Sequence, residues 1–167
     1  MIARFQPPPA LHPRDRVAVI APASAFDRPS FEAGLALIGA RYRAGYGPGV
    51  FERQRYLAGD DARRLGELTA ALSDPDVRAV FCARGGYGAT RLLARLAATG
   101  PPGPPKLLVG FSDITSLHLW LQTLGRSPWS SSSRMAPSSP GMNGVPMSRV
   151  KTDRLPPSRG PSATPPT

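Results

Sequence analysis

The stretch DPDVRAVFCARGGYGATRLL, Asp74 to Leu93, decides the fold. Asp74-Pro75-Asp76 is turn chemistry, because proline fixes its own φ and disfavours helix in the residue before it. Val77 to Ala83 is short and largely apolar, the pattern of a strand buried in a parallel sheet. Arg84-Gly85-Gly86-Tyr87-Gly88 follows as a loop, and Ala89 to Ala97 resumes at helical spacing. The order is strand, glycine loop, helix.

The same alternation repeats on either side. RVAVIA, Arg16 to Ala21, reads as another buried strand and ends in Pro22-Ala23-Ser24. Pro29 to Tyr42 places Phe31, Leu35, Ile38 and Tyr42 on one helical face, with Asp27 or Ser30 as the cap. A weak strand is expected near Val50. Asp60 to Leu72 is a second helix, capped by Asp60, with Leu65, Leu68 and Leu72 as its stripe. Beyond the Pro/Gly loop Thr99 to Pro105, a strand is predicted over Leu107 to Phe111 and a helix over Asp113 to Leu124. Strands alternating with helices imply right-handed crossovers and a parallel α/β sheet with helices on both faces. Ligands of such sheets collect at the carboxyl ends of the strands. Three loops, Ala21 to Ser24, Arg84 to Gly88, and the turn at Ser112, are predicted to meet there.

GFSDIT, Gly110 to Thr115, puts a serine at a strand-to-helix turn. A sharp turn of this kind projects the hydroxyl outward, and the amides that open the helix face any negative charge developing beside it. Glycines 85, 86 and 88 let a second backbone approach a ligand and present amides. Together these supply two donors for an acyl-transfer oxyanion, assigned to the amides of Gly86 and Asp113. Nucleotide binding is disfavoured, since neither GxxxxGK[ST] nor a complete GxGxxG is present.

Composition bounds the alternatives. The chain has 167 residues and 41% hydrophobic content, enough for one domain. The net charge of +10 comes almost wholly from scattered arginines, with Lys106 and Lys151 the only lysines, so a solvated basic surface is expected and no nucleic-acid partner. The single cysteine, Cys82, excludes an intrachain disulfide and reads as a buried strand residue. No apolar segment is long enough for a membrane span, and the amino terminus lacks a signal-peptide core, so a soluble cytoplasmic protein is the expectation. After Arg126 the helix and strand periods vanish into Ser130 to Ser133 and recurrent prolines up to Pro166, so residues 127–167 are predicted to be disordered.

YLAGDDARR (Tyr56 to Arg64), DPDVRAVFCARGGYGATRLL and KLLVGFSDITSLHLWLQ (Lys106 to Gln122) resemble the N-terminal domain of the LD-carboxypeptidases, serine peptidases of the muramoyltetrapeptide carboxypeptidase and microcin-immunity type. PPALHPRDRVAVIAPAS is similar to that family's first strand and loop, and the resemblance covers residues 7 to 126. It implies a flavodoxin/Rossmann-like, class I amidotransferase-like domain over residues 1–126. It also implies a cytoplasmic, cofactor- and metal-free hydrolase that removes the terminal D-alanine of murein tetrapeptides in cell-wall recycling, in a family that forms homodimers. Ser112 matches the nucleophile, and Arg84, Gly85 and Tyr87 fall on the substrate loop.

The family's Glu and His belong to a separate C-terminal domain that cannot be placed on this chain. His12 precedes the first strand. His118 lies six residues beyond Ser112, about 9 Å along the helix and turned about 240° from it, so the two share no face. Glu32, Glu52 and Glu67 fall on helices or their flanks. The expectation is therefore a truncated, inactive chain that presents a nucleophile without activating it. A peptide- or anion-binding module without turnover and a nonfunctional fragment are the alternatives. A shift of reading frame near residue 126, real or from sequencing, is the hypothesis for the change of character. Arg134 to Ser139 can be encoded as CGC ATG GCC CCG TCG TC, which in a neighbouring frame reads CAT GGC CCC GTC GTC, His-Gly-Pro-Val-Val, similar to the family's sequence after the nucleophile helix.

Overall fold

The computed structural model describes residues 6–99 and 103–127. The predicted disorder of the tail falls, from residue 128 onward, outside these. Four parallel strands form one sheet: β1 (Arg16–Ile20), β2 (Arg43–Tyr46), β3 (Ala79–Cys82) and β4 (Leu107–Val109), in the order β2-β1-β3-β4. Val17 lies between Ala44 of β2 and Ala79 of β3, which fixes the register of the central strand. This order places a topological switch point between β1 and β3, where ligand sites of open α/β sheets lie.

The first two helices start where their caps predict. In α1 (Arg28–Gly39) the Asp27 carboxylate accepts the Ser30 amide at 2.8 Å, and Phe31 and Leu35 turn inward. In α2 (Asp61–Ser73) Asp60 accepts the Arg63 amide at 2.7 Å, and Leu68, Ala71 and Leu72 are buried. Lys106, itself buried, donates at 2.6 Å to the Leu72 carbonyl, placing a cation on an orphan acceptor at the end of α2. The third and fourth helices each open on a short 3₁₀ turn: Thr90–Leu92 leads into α3 (Leu93–Thr99), and Ser112–Ile114 leads into α4 (Thr115–Thr123).

The sheet separates two cores. On one face Ala18, Ile20, Val80 and Leu108 pack against α2, α3 and α4 through Leu68, Leu96, Leu117 and Trp120. On the other, Val17, Val19 and Ala79 pack with Phe31 and Leu35 of α1 and with Val50. The expected strand at Val50 is not found: Pro48–Phe51 is a 3₁₀ turn, and β2 lies earlier, at Arg43–Tyr46. The reason is tertiary. RAGY has little strand character of its own but borders β1, while Pro48 lacks the amide a ladder needs.

One polar group is built into the first core. Arg64 is fully buried, and its guanidinium donates to the carbonyls of Pro22 and Gly88, both at 2.7 Å, and pairs with Asp61. Asp61 also receives Arg91 in a two-pronged contact, and the Arg91 hydrogen bonds hold its carboxyl below the usual range. Arg64 thus joins α2 to the loops after β1 and β3. Arg64→Leu is expected to cost roughly 3 kcal/mol, because two carbonyls and a carboxylate lose a charged donor at once. Urea unfolding checks this, with Arg95→Leu on the exposed side of α3 as a near-neutral control.

Candidate functional site

The carboxyl ends of β1, β3 and β4 meet as the sequence predicts. The Ser24 amide donates to the Gly85 carbonyl at 3.3 Å, and the Ser24 hydroxyl accepts from the Tyr87 amide at 3.1 Å and lies 3.2 Å from the Tyr87 carbonyl. Gly86 has φ of 90°, and a Cβ there would collide with the Ser24 hydroxyl. Glycine is required for both its torsion and its size. Gly85 lies on the Ser112 turn: a Cβ there would stand 2.6 Å from the Phe111 carbonyl and 2.9 Å from Cβ of Ser112. The glycine loop and the serine turn are therefore in direct contact.

Ser112 is exposed and has φ of 59°, in the left-handed region where a side chain costs about 1–2 kcal/mol. The strain is the signature of a sharp strand-to-helix turn. Phe111 is extended before it, and the Ile114 amide closes back on the Phe111 carbonyl at 3.2 Å. Gly110 permits the bend, since a Cβ there would press on Ile114 at 2.5 Å.

Asp113 does more than its sequence position suggests. A carboxylate at the start of a helix ordinarily serves that helix's own macrodipole. Instead its carboxylate reaches the start of the neighbouring helix, accepting the Ala89 amide at 2.6 Å and the Thr90 amide at 3.4 Å, and bonding the Thr90 hydroxyl. It caps the turn into α3, so the loop carrying Gly86 and the turn carrying Ser112 are held by one side chain. Neither this link nor the Ser24 clamp was visible in sequence, because the partners lie 24 and 63 residues apart.

The remaining predicted residues fall around this junction. Arg84 is exposed and donates to the Ala25 carbonyl at 3.0 Å. The Tyr87 ring is half exposed and lies 6.1 Å from that of Tyr56. His118 is buried on the sheet side of α4, with Nε2 3.2 Å from the Leu108 carbonyl. His12 is in the entry segment, with its ring 3.9 Å from Asp15. Glu67 is likewise structural: it accepts the Ala21 amide at 2.8 Å and pairs with Arg63 at 2.8 Å, and burial pushes its carboxyl up. A cleft of about 420 Å³ beside that pair shares no lining residue with the loops around Ser112. Burial also pushes the Cys82 thiol up, which suits a strand residue and not a nucleophile. Among the described residues no cluster could hold a metal ion, and no helix is long and apolar enough to cross a membrane.

Two stability measurements follow. Ser112→Gly should be more stable than Ser112→Ala by about 1 kcal/mol, because glycine alone relieves the positive φ; equal melting of the two variants would remove the strain argument. Burial lowers the His118 pKa below its ordinary 6.5. The unfolded chain therefore binds a proton first, and the histidine's contribution, fully present above pH 6.5, is lost as the pH falls through the folded value. His118→Gln should flatten that part of the stability profile in urea titrations run at successive pH values.

The LD-carboxypeptidase N-terminal domain model matches residues 17–130. The murein tetrapeptide carboxypeptidase of Pseudomonas aeruginosa is 44% identical over 110 residues, covering 61% of this chain and 34% of that protein. A Streptomyces coelicolor protein named as a carboxypeptidase is 45% identical over 117 residues, covering 66% of this chain and 37% of its own length. Among solved structures, an MccF-like protein from Bacillus anthracis superposes with a TM-score of 0.62 at 24% identity, over 72% of this chain and 38% of that one. The microcin C7 self-immunity protein MccF, solved with adenosine monophosphate, gives 0.60 at 20% identity, over 72% of this chain and 37% of that one. At that identity the two structures speak for the fold alone. The chain spans little more than a third of the length of these relatives. Because that domain model matches well over half of its residues, this chain belongs to the LD-carboxypeptidase family, matching its N-terminal domain.

Proposed function

We propose that this chain is the nucleophile-bearing part of a serine LD-carboxypeptidase acting on murein tetrapeptides. The observation that carries the reading is the strained Ser112 held against Gly85 and tied to the glycine loop by Asp113. The Ser112 hydroxyl would attack the carbonyl joining an L-centre to the terminal D-alanine. The amides of Gly86 and Asp113 would hold the resulting oxyanion, each such donor being worth on the order of a hundredfold in rate. Collapse would expel D-alanine with a proton on its amine, and water would release the shortened peptide from the serine. Arg84, Gly85 and Tyr87 would line the substrate path. The serine's proton needs an acceptor, and neither histidine among the described residues faces it. In a triad the missing base is worth on the order of 10⁶ in kcat, so turnover by this chain alone is expected to be negligible.

The reading keeps residues 1–126 as the domain and 127–167 as a tail from another reading frame. The coding DNA beyond codon 126 tests that boundary: no neighbouring frame continuing into a domain with Glu and His would remove it. A fluorophosphonate probe tests the chemistry. Slow labelling confined to Ser112, abolished in Ser112→Ala and retarded by a murein tetrapeptide ending in D-alanine but not in L-alanine, is the expected result by mass spectrometry. Labelling elsewhere, or indifference to the terminal stereocentre, would sink the assignment. Protection by peptide with no labelling at all would favour a binding module without turnover.

A further inference from the structure

Beside the junction lies a cleft of about 250 Å³ lined by Phe26, Asp27, Ser30, Phe31, Ala83 and Arg84. It adjoins Ser112 through the chain itself, since Arg84 precedes the glycine that packs on the serine turn. Two of its lining rings, Phe26 and Phe31, stack with centroids 5.0 Å apart. Its charges are a guanidinium and a carboxylate. Arg84 is fixed by its bond to the Ala25 carbonyl, and Asp27 by accepting the Ser30 amide as the cap of α1. Bonding from Ser30 holds the Asp27 carboxyl below the usual range, with Arg84 adding a smaller pull, so the two groups feel each other. Yet neither forms an ion pair among the described residues, although the structure pairs Arg16, Arg28, Arg63, Arg64 and Arg91 with carboxylates. The cation and the anion thus face one small cleft without satisfying each other.

We infer that this cleft is a subsite for a zwitterionic α-amino-acid head group, with Arg84 taking its carboxylate and Asp27 its ammonium. The inference rests on reading the loops around Ser112 as a substrate site and names the chemistry one part of that site selects. A lone carboxylate would meet the repulsion of Asp27, and a lone amine that of Arg84. A group carrying both charges on one carbon meets neither. Such a head group can come from a released amino acid such as free D-alanine, or from a longer diamino dicarboxylic acid whose far end is an amino acid.

The test is a titration of the full 167-residue chain, followed through the amide signals of Ser30, Arg84 and Gly85. The probes are D-alanine, meso-2,6-diaminopimelate, D-lactate and D-alaninamide. Saturable shifts with either zwitterion are expected, the better of the two identifying the source. D-lactate, lacking the ammonium, and D-alaninamide, lacking the carboxylate, should each bind about tenfold more weakly, the size of one charge-assisted hydrogen bond. Arg84→Gln and Asp27→Asn should each weaken the zwitterion about tenfold and leave melting unchanged, because both positions are exposed and asparagine still caps α1. Equal binding of D-lactate and D-alanine, full affinity in both variants, or no saturable shift would overturn the subsite. Ser112→Ala should bind as the parent does. Retained zwitterion binding with no serine labelling would remove the catalytic reading and leave the subsite standing.

Discussion

A fully buried guanidinium underlies the arrangement around Ser112. Arg64 leaves water only because two loop carbonyls and one carboxylate receive it, and those loops can take their shape only because it is there. Gly88 shows how little slack remains: a Cβ there would lie 2.8 Å from the guanidinium and 2.7 Å from Leu57. The loop after β3 is therefore held from below by α2, from the side by Ser24, and from above by the carboxylate of Asp113. Each contact uses the backbone of the glycine loop or of the turn just after it, so position is set independently of most of the loop's own side chains.

The consequence for chemistry is that alignment is met in the fold itself. The serine turn is strained, and the glycine loop carries two positive φ angles, at Gly86 and Gly88. Left alone, either segment would relax. Gly85 keeps them in contact because it has no Cβ to separate them, and the Asp113 bridge keeps the contact in register. In the proposed reaction, amides held this way would need no reorganisation as charge develops, which is the source of such donors' effect. The buried histidine of α4 meets a strand carbonyl through its Nε2.

Much of the fold was legible because its signals are local. Asp27 and Asp60 cap the helices they precede, the apolar runs of β1 and β3 form the central strands, and GFSDIT and ARGGYG meet where a parallel sheet brings them. β2 was not legible, since Ala44, Gly45 and Tyr46 become a strand by bordering β1 and not by their own preference. Arg64 was not legible either: an arginine on an amphipathic helix reads as solvated surface, and only the loops it meets reveal that it is buried. The Ser24 hydroxyl and the Asp113 carboxylate were hidden for the same reason. Sequence shows that a residue can bond, but the partner is chosen by topology.

The contacts that complete the serine junction all lie between Pro22 and Asp113, and the α4 helix that follows closes the first core by residue 123. A chain emerging from the ribosome amino end first would have every partner for the strained turn in hand once about that length is free, since domains fold as units in that order. The geometry of the Ser112 turn is then set by the chain up to the end of α4 and can form during synthesis. Variation beyond the junction can change what the serine does while leaving untouched the way it is held.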